Sequence, residues 1–361
     1  MSLFGILILL YIAFNFQRIK NIKYLESYSF LLLYSLFVSL STDLLVAFRV
    51  MMSFLFGYLI LNDQKYDLNK IADFTASGII VTSSLALFKD WLPALGLNLN
   101  YHAYRIGGEL SYRFAGLMNN PNYYSIVIGL VISVYLLLIL KNRIQKYEFA
   151  FLAALLYFGL KTISISLFVS IGTITLISLL LLLFKTPARF CIAIAFFIVC
   201  FIALQSFYLD NETIGMLLLR ADIIEDSSSG MSEVTTGRSD IASFYISFFL
   251  ENPISFLFGS GFSPVLINGR STHNTYLEAL FLLGVFGSIP YIYNYFNLFK
   301  TYLPNARYST LGALPLAYLI IRYLARHLIQ DEIHIFCIII CIISIKESFD
   351  SEQTPLEPPN S

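Results

Sequence analysis

Charge is scarce in this chain. Only 13% of its 361 residues are charged, and 23 lysines and arginines are balanced by 23 aspartates and glutamates, so the formal net charge is +0. A nucleic-acid binder normally carries a basic face or tail, and the neutral balance argues against that class. Cysteine is sparse too. All four, Cys191, Cys200, Cys337 and Cys341, fall inside apolar segments and none in a polar loop where an oxidising compartment could pair it, so packing roles are expected. Cys337 and Cys341 share a helix face but lack the neighbouring polar ligands that a metal site needs. The first apolar segment, residues 2–16, has no basic region before it and no small-residue cleavage pattern after it, so it does not resemble a secretory signal and is expected to be a short membrane span. No internal repeat is convincing.

Apolar surface is what the chain has in excess. With 57% hydrophobic residues and a mean hydropathy of +0.73, it carries more than one soluble core can enclose, which implies a polytopic membrane protein. About 20 apolar residues cross a bilayer as helix. On that basis, spans are expected near residues 2–16, 25–41, 44–61, 71–89, 121–140, 147–164, 166–184, 190–208, 273–297, 309–325 and 332–346, about 11 in all, in an all-α membrane domain over residues 1–347. Residues 348–361, ending in the polar "DSEQTPLEPPNS", are expected to be a disordered cytoplasmic tail.

Short connections carry Arg18, Lys20 and Lys23, then Lys65 and Lys70, then Lys141, Arg143 and Lys146, then Lys185 and Arg189, then Lys300 and Arg307. The positive-inside rule makes that side cytoplasmic, which puts two long polar connections, residues 90–120 and 209–272, on the outer, periplasmic side. Chemistry is to be sought there.

The first of these ends in "YRIGGELSYRFAGLMNNPNYYSIVIGL". Asn120 can cap a helix whose first position is taken by Pro121, which has no amide hydrogen to lose. The free amides and positive dipole end of that helix then face the outer vestibule, with Arg105 and Arg113 just upstream and Asn122 in its first turn, an anion site in outline. In the second connection, Gly237 breaks the chain and Arg238 and Asp240 open an amphipathic helix. Its Phe244, Tyr245, Phe248 and Phe249 suit a membrane–water boundary. Then comes "GRSTHNTYLEALFLLGVFG", in which Ser271 or Thr272 can cap the next inward-running helix and place His273 in its first turn. A neutral imidazole there can accept a proton from a sugar hydroxyl, and Asn274 can orient the ring or the substrate.

Two other features stand out. Arg49 lies inside an apolar span, where an unpaired charge costs about 2.5 to 3.5 kcal/mol on insertion scales, so it is expected to face the bundle interior with Asp43 as partner. His327, Asp331 and His334 fall at i, i+4 and i+7, a spacing that zinc could use on one continuous helix. The segment straddles an expected turn, which argues against it.

Taken in order, "R-x2-G-x2-NNPN", "GR-x20-G-x-G" and "HN-x-Y-x7-G-x2-G" resemble the bacterial O-antigen polymerase and O-antigen ligase superfamily over residues 105–290. The first three and last two spans match only as generic membrane helices. The resemblance implies a GT-C-like helical bundle and a glycosyltransferase that takes glycan from an undecaprenyl-diphosphate carrier at the outer face of the bacterial inner membrane. It implies that Arg113 and Arg238 hold the diphosphate and that His273 is the base that activates the acceptor hydroxyl. Arginine's planar fork suits phosphate, and arginines with helix amides can stabilise the leaving group without a metal or other cofactor. Many members have a Ser-Arg pair in the middle spans; this chain reads "GLKTISISLF" there, and Lys161 is the candidate substitute. The partners implied are the lipid-linked oligosaccharide, membrane lipid, and the flippase and chain-length regulator of the same pathway.

A polymerase would pass the growing glycan to an incoming lipid-linked repeat unit. A ligase would use the same donor chemistry on a lipid A core or another acceptor, and one sequence does not separate the two. A flippase or secondary transporter is the competing class, although transporters concentrate polar residues and broken helices at mid-membrane, whereas here the polar residues gather in the outer connections.

Overall fold

A computed structural model describes residues 3–21, 25–63, 66–87, 102–106, 109–116, 118, 120–185, 238–262, 272–302, 311–324, 329 and 333–353. Helices account for nearly all of them: α1 (Leu3–Phe14), α2 (Leu25–Val38), α3 (Leu44–Asp63), α4 (Leu68–Leu87), α5 (Pro121–Leu140), α6 (Glu148–Lys161) and α7 (Ile165–Lys185). They are followed by α8 (Arg238–Glu251), α9 (Pro253–Phe258), α10 (Thr275–Tyr302), α11 (Leu314–Tyr323) and α12 (Ile333–Gln353). Each expected span coincides with a helix except residues 190–208, which lie outside the described residues. Three stretches, Leu44–Leu61, Pro121–Leu140 and Thr275–Lys300, are long and apolar enough to cross a membrane, and four shorter apolar helices accompany them. The chain is helical and suited to a membrane. The last helix runs on through Gln353, into the segment expected as a tail.

One element stands apart from the helices. Strands β1 (His102–Ile106) and β2 (Glu109–Arg113) form an antiparallel hairpin in the first polar connection, with His102 opposite Arg113 and Ile106 opposite Glu109. The two residues between the last paired positions are Gly107 and Gly108, a dipeptide that tight hairpins favour. Tyr104, Ile106, Leu110 and Tyr112 supply the alternation of a strand, a period of two that a search for 20-residue apolar runs does not register.

The chain divides into two compact units. One contains residues 67–234 and 311–322. Its centre is α5, buried on all sides with a mean hydropathy of 2.4, as a helix without a polar face must be. The helices α4, α6 and α7 pack on it. α11 crosses it closely, since a Cβ on Gly129 would collide with the Tyr318 hydroxyl, which donates to the carbonyls of Ser125 (3.1 Å) and Ile126 (3.2 Å).

The other unit contains residues 1–66, 235–310 and 323–361. Here α3 touches α1, α2, α10 and α12. Buried polar groups tie these helices: Tyr28 donates to the Met51 carbonyl (2.9 Å), and Tyr58 donates to the carbonyl and Oδ1 of Asn294 (both 3.1 Å). Asp43, the expected partner of Arg49, caps α3, its Oδ1 accepting from the amides of Leu45 and Val46 (both 3.0 Å).

Within α10 the helix breaks at Gly284, whose φ of 64° and ψ of −177° only glycine adopts readily. A break inside an apolar helix frees carbonyls that need donors. The chain provides them itself: Ser260 N–H bonds Phe281 O (2.8 Å), Gly261 N–H bonds Leu282 O (3.1 Å), and the Tyr34 hydroxyl bonds Leu283 O (3.1 Å). The "GSG" of residues 259–261 therefore lies along the break, with Gly259 at φ 85° and Gly261 at φ 79°.

Candidate functional site

The start of α5 is built as the sequence indicates. Asn120 is the N-cap, in extended conformation, and its side chain accepts from the Asn122 amide (2.9 Å), with Pro121 in the first turn. Arg113 ends β2 and is only 3% exposed. Its Nε donates to the Thr162 carbonyl (2.8 Å) and its Nη2 to Asn122 Oδ1 (2.9 Å). The strand end is anchored by Phe114, stacked on Phe158 at 5.7 Å and edge-on to Tyr124 at 5.8 Å, while Phe114 N–H bonds the Lys161 carbonyl (3.1 Å).

A second guanidinium reaches the same turn. Arg322, in the last turn of α11 and fully buried, donates from Nη2 to Ser125 Oγ (2.7 Å) and the Asn122 carbonyl (3.4 Å) and from Nη1 to Ser166 Oγ (2.6 Å). Ser125, Ser164 and Ser166 join in a chain of hydroxyls, each step 3.3 Å. Asn122 thus bonds both arginines. Arg322, bonded here to two hydroxyls and a carbonyl, thus lies buried at the positive end of α5.

The backbone between α6 and α7 is strained at this spot. Ile163, a β-branched residue, is held at φ 48° while 3% exposed. Such a conformation costs on the order of 1–3 kcal/mol and is characteristic of sites where position matters more than ease. It sets the Thr162 carbonyl on Arg113 and the serines of "ISIS" toward Arg322.

Lys161, the expected substitute cation, has its Nζ over the Tyr157 ring, 5.4 Å from the centroid. Arg105 sits in β1 opposite Leu110, and its side chain lies outside the described residues. Arg322 went unremarked in the sequence although the signal was there, since an arginine in the apolar run "LPLAYLIIRY" meets the same criterion that singled out Arg49.

His273, Asn274 and Arg238 belong to the other unit. Arg238 opens α8 as expected, with its side chain outside the described residues. The aromatic face of α8 is only partly a boundary face: Tyr245 is fully buried, edge-on to Phe281 at 5.3 Å, and Phe249 is nearly so, while Phe244 is exposed. The cap of α10 is Asn274, whose Oδ1 accepts from the amides of Tyr276 (2.9 Å) and Leu277 (3.1 Å), and not Thr272. Asparagine outranks threonine as a cap, and here it wins. His273 consequently precedes the helix, partly exposed, at a φ of 48°. Thr272 steadies the turn by donating to the Asn274 carbonyl (3.0 Å). Asn274 Nδ2 donates to the Leu324 carbonyl (3.5 Å).

The zinc spacing at His327, Asp331 and His334 comes down to His334 alone among the described residues. It is buried, stacked on Tyr323 (5.1 Å, 16°) and bonded through Nε2 to the Tyr295 hydroxyl. Among the described residues no three metal-ligating side chains cluster. Cys337 and Cys341 are buried free thiols, and Cys191 and Cys200 lie outside the described residues. No family model matches the sequence, and no curated protein or solved structure does either.

Proposed function

We propose that this chain is a membrane glycosyltransferase of the O-antigen or capsular polysaccharide polymerase type, working at the outer face of the bacterial inner membrane. The observation that supports this most is Arg113: a guanidinium buried at the first turn of an apolar spanning helix, held by Asn122 and the Thr162 carbonyl. The donor is a glycan on undecaprenyl diphosphate. In the reaction the acceptor hydroxyl of an incoming lipid-linked repeat unit attacks the anomeric carbon with inversion. The new C–O bond forms as the bond from that carbon to the phosphate oxygen breaks, the hydroxyl proton passes to His273, and undecaprenyl diphosphate leaves with its electron pair. The resemblance gives Arg113 and Arg238 the task of holding the diphosphate, for which a guanidinium fork is suited. His273 serves as general base.

A ligase differs only in its acceptor. A transporter reading draws on the break in α10, since broken spanning helices often bind ions. At Gly284, however, the carbonyls of Phe281, Leu282 and Leu283 are already taken by the chain's own donors, so that break offers an ion little to coordinate.

Cells carrying His273→Ala or Arg238→Ala test the reading. A polymerase variant leaves surface glycan of a single repeat unit, because export and attachment of that unit proceed without it. A ligase variant leaves long lipid-linked polymer unattached, and a transporter variant traps repeat units in the inner leaflet. Near-normal long chains from His273→Ala would remove the histidine from the mechanism.

A further inference from the structure

A second group of polar side chains lies toward the other end of α5, and nothing in the proposed reaction uses it. Asn69 and Asp73 stand one turn apart on α4, Tyr135 is in the later part of α5, and Tyr147 and Glu148 open α6. Their bonds interlock. Asp73 Oδ1 accepts from the Tyr135 hydroxyl (3.0 Å) and Oδ2 from the Tyr147 hydroxyl (2.7 Å), while Glu148 Oε1 accepts from Asn69 Nδ2 (3.0 Å) and Oε2 from the Gln145 amide. Each of the four carboxyl oxygens has its donor. The two carboxyls also lie within hydrogen-bonding reach of each other, with Glu148 fully buried and Asp73 half-buried.

All four donors are neutral. Neither carboxyl has a lysine or arginine within salt-bridge distance among the described residues: Lys70 pairs with Asp67 (3.8 Å), and Arg143 meets the cluster through its carbonyl, which accepts from Asn69 Nδ2 (3.1 Å). Lys141, Arg143 and Lys146 give the α5–α6 connection its positive charge, and Asp67 adds negative charge near Tyr147. The free amides at the start of α6 favour one anion, as the reach of Glu148 back to the Gln145 amide shows. They do not balance two. Two carboxylates in contact cannot both stay ionised, because mutual repulsion and the loss of water both act against the second charge. A proton between them turns the repulsion into a hydrogen bond, and it belongs to the pair and not to either residue.

We infer that Asp73 and Glu148 share one proton, and that this proton is a pH-sensitive latch fastening the start of α6 to α4. Its release sets two charges against each other across the contact between those helices. The latch is independent of the reaction this chain performs, so its failure leaves the proposed function untouched. The direction of the pH effect follows from proton counting: the folded pair keeps a proton at pH values where unfolded carboxyls, which titrate near pH ~4, have lost theirs. The folded state then binds more protons, and stability falls as pH rises.

The test uses the full chain in lipid nanodiscs between about pH 5 and about pH 9, a window that reaches the range of buried glutamates. The unfolding temperature of the wild type should fall across it, by roughly 2–4 °C for each tenfold by which folding tightens the hold on the proton. The infrared C=O stretch of a protonated carboxyl should disappear over the same range, and spin labels on Lys70→Cys and Lys146→Cys should move apart. Asp73→Asn and Glu148→Gln each put a fixed amide hydrogen where the shared proton lies, so either variant should lose that infrared change, the slope and the movement. A wild type whose unfolding temperature stays level or rises across the window overturns the inference even if neither variant folds. An infrared change or slope that persists in a folded variant also overturns it, and labels that keep one distance while the carboxyl titrates overturn the latch.

Discussion

Replacing Gly284 with alanine should damage this protein far more than a single methyl group suggests. The residue has a φ of 64° and a ψ of −177°, a region that side chains other than glycine's occupy at a cost on the order of 1–3 kcal/mol. Space is the second problem. A Cβ there would lie 2.6 Å from the Leu257 carbonyl carbon and collide with the Gly259 amide, both backbone atoms that cannot swing aside. Moving residues 257–261 to make room strains the bonds from Ser260 and Gly261 to the Phe281 and Leu282 carbonyls. Each carbonyl left unsatisfied costs about 1–3 kcal/mol. The total is roughly 3–9 kcal/mol, against about 0.5–3 kcal/mol for an average substitution. Gly172→Ala is the control. It lies inside α7 with nothing within 4 Å of its Cβ position and should stabilise by about 0.5–1 kcal/mol, as alanine does for glycine in a helix. Both variants can be read by thermal unfolding in detergent and by membrane yield. A Gly284→Ala protein that accumulates normally and unfolds within a degree or two of wild type would refute the account of the broken helix.

Asn122→Ala removes the Oδ1 that accepts from Arg113 Nη2, a charge-assisted bond worth about 1.5–3 kcal/mol, so kcat/KM for chain extension should fall roughly tenfold to a hundredfold. Asn122→Asp keeps the shape of the side chain but places an anion against Arg113, where on the proposed reading it competes with the diphosphate, so chain extension should be lost. A chelator should leave turnover by the purified protein unchanged, because the proposed mechanism puts the leaving-group charge on arginines and helix amides; activity lost with EDTA and restored by a divalent cation would contradict this.

Helix positions were legible because long apolar runs and their caps are local signals, and α5 is the clearest case, with Asn120, Pro121 and 20 apolar-rich residues in sequence. The hairpin was not legible to a search for spans, since its signal has a period of two and lasts five residues per strand. At the site, Arg113 and Asn122 were found because they are nine residues apart and share one motif. Arg322 lies 200 residues from Asn122, and only the crossing of α11 over Gly129 brings it there. Lys161 shows the converse. Its Nζ lies over the Tyr157 ring, while the Thr162 carbonyl and the Ser166 hydroxyl beside it contact the arginines. The cap of α10 was misplaced by two residues because Thr272 and Asn274 both qualify by type, and the choice depends on which side chain reaches the amides of Tyr276 and Leu277.

The central claim, that this chain joins lipid-linked repeat units, is tested most directly by placing the purified protein in liposomes with one undecaprenyl-diphosphate-linked repeat unit and nothing else that could supply energy. The account predicts a ladder of glycans growing by whole repeat units, with one undecaprenyl diphosphate released for each unit joined, and no ladder from Arg113→Met or His273→Ala. Repeat units that stay single, whether they remain in place or only cross the bilayer, would contradict it.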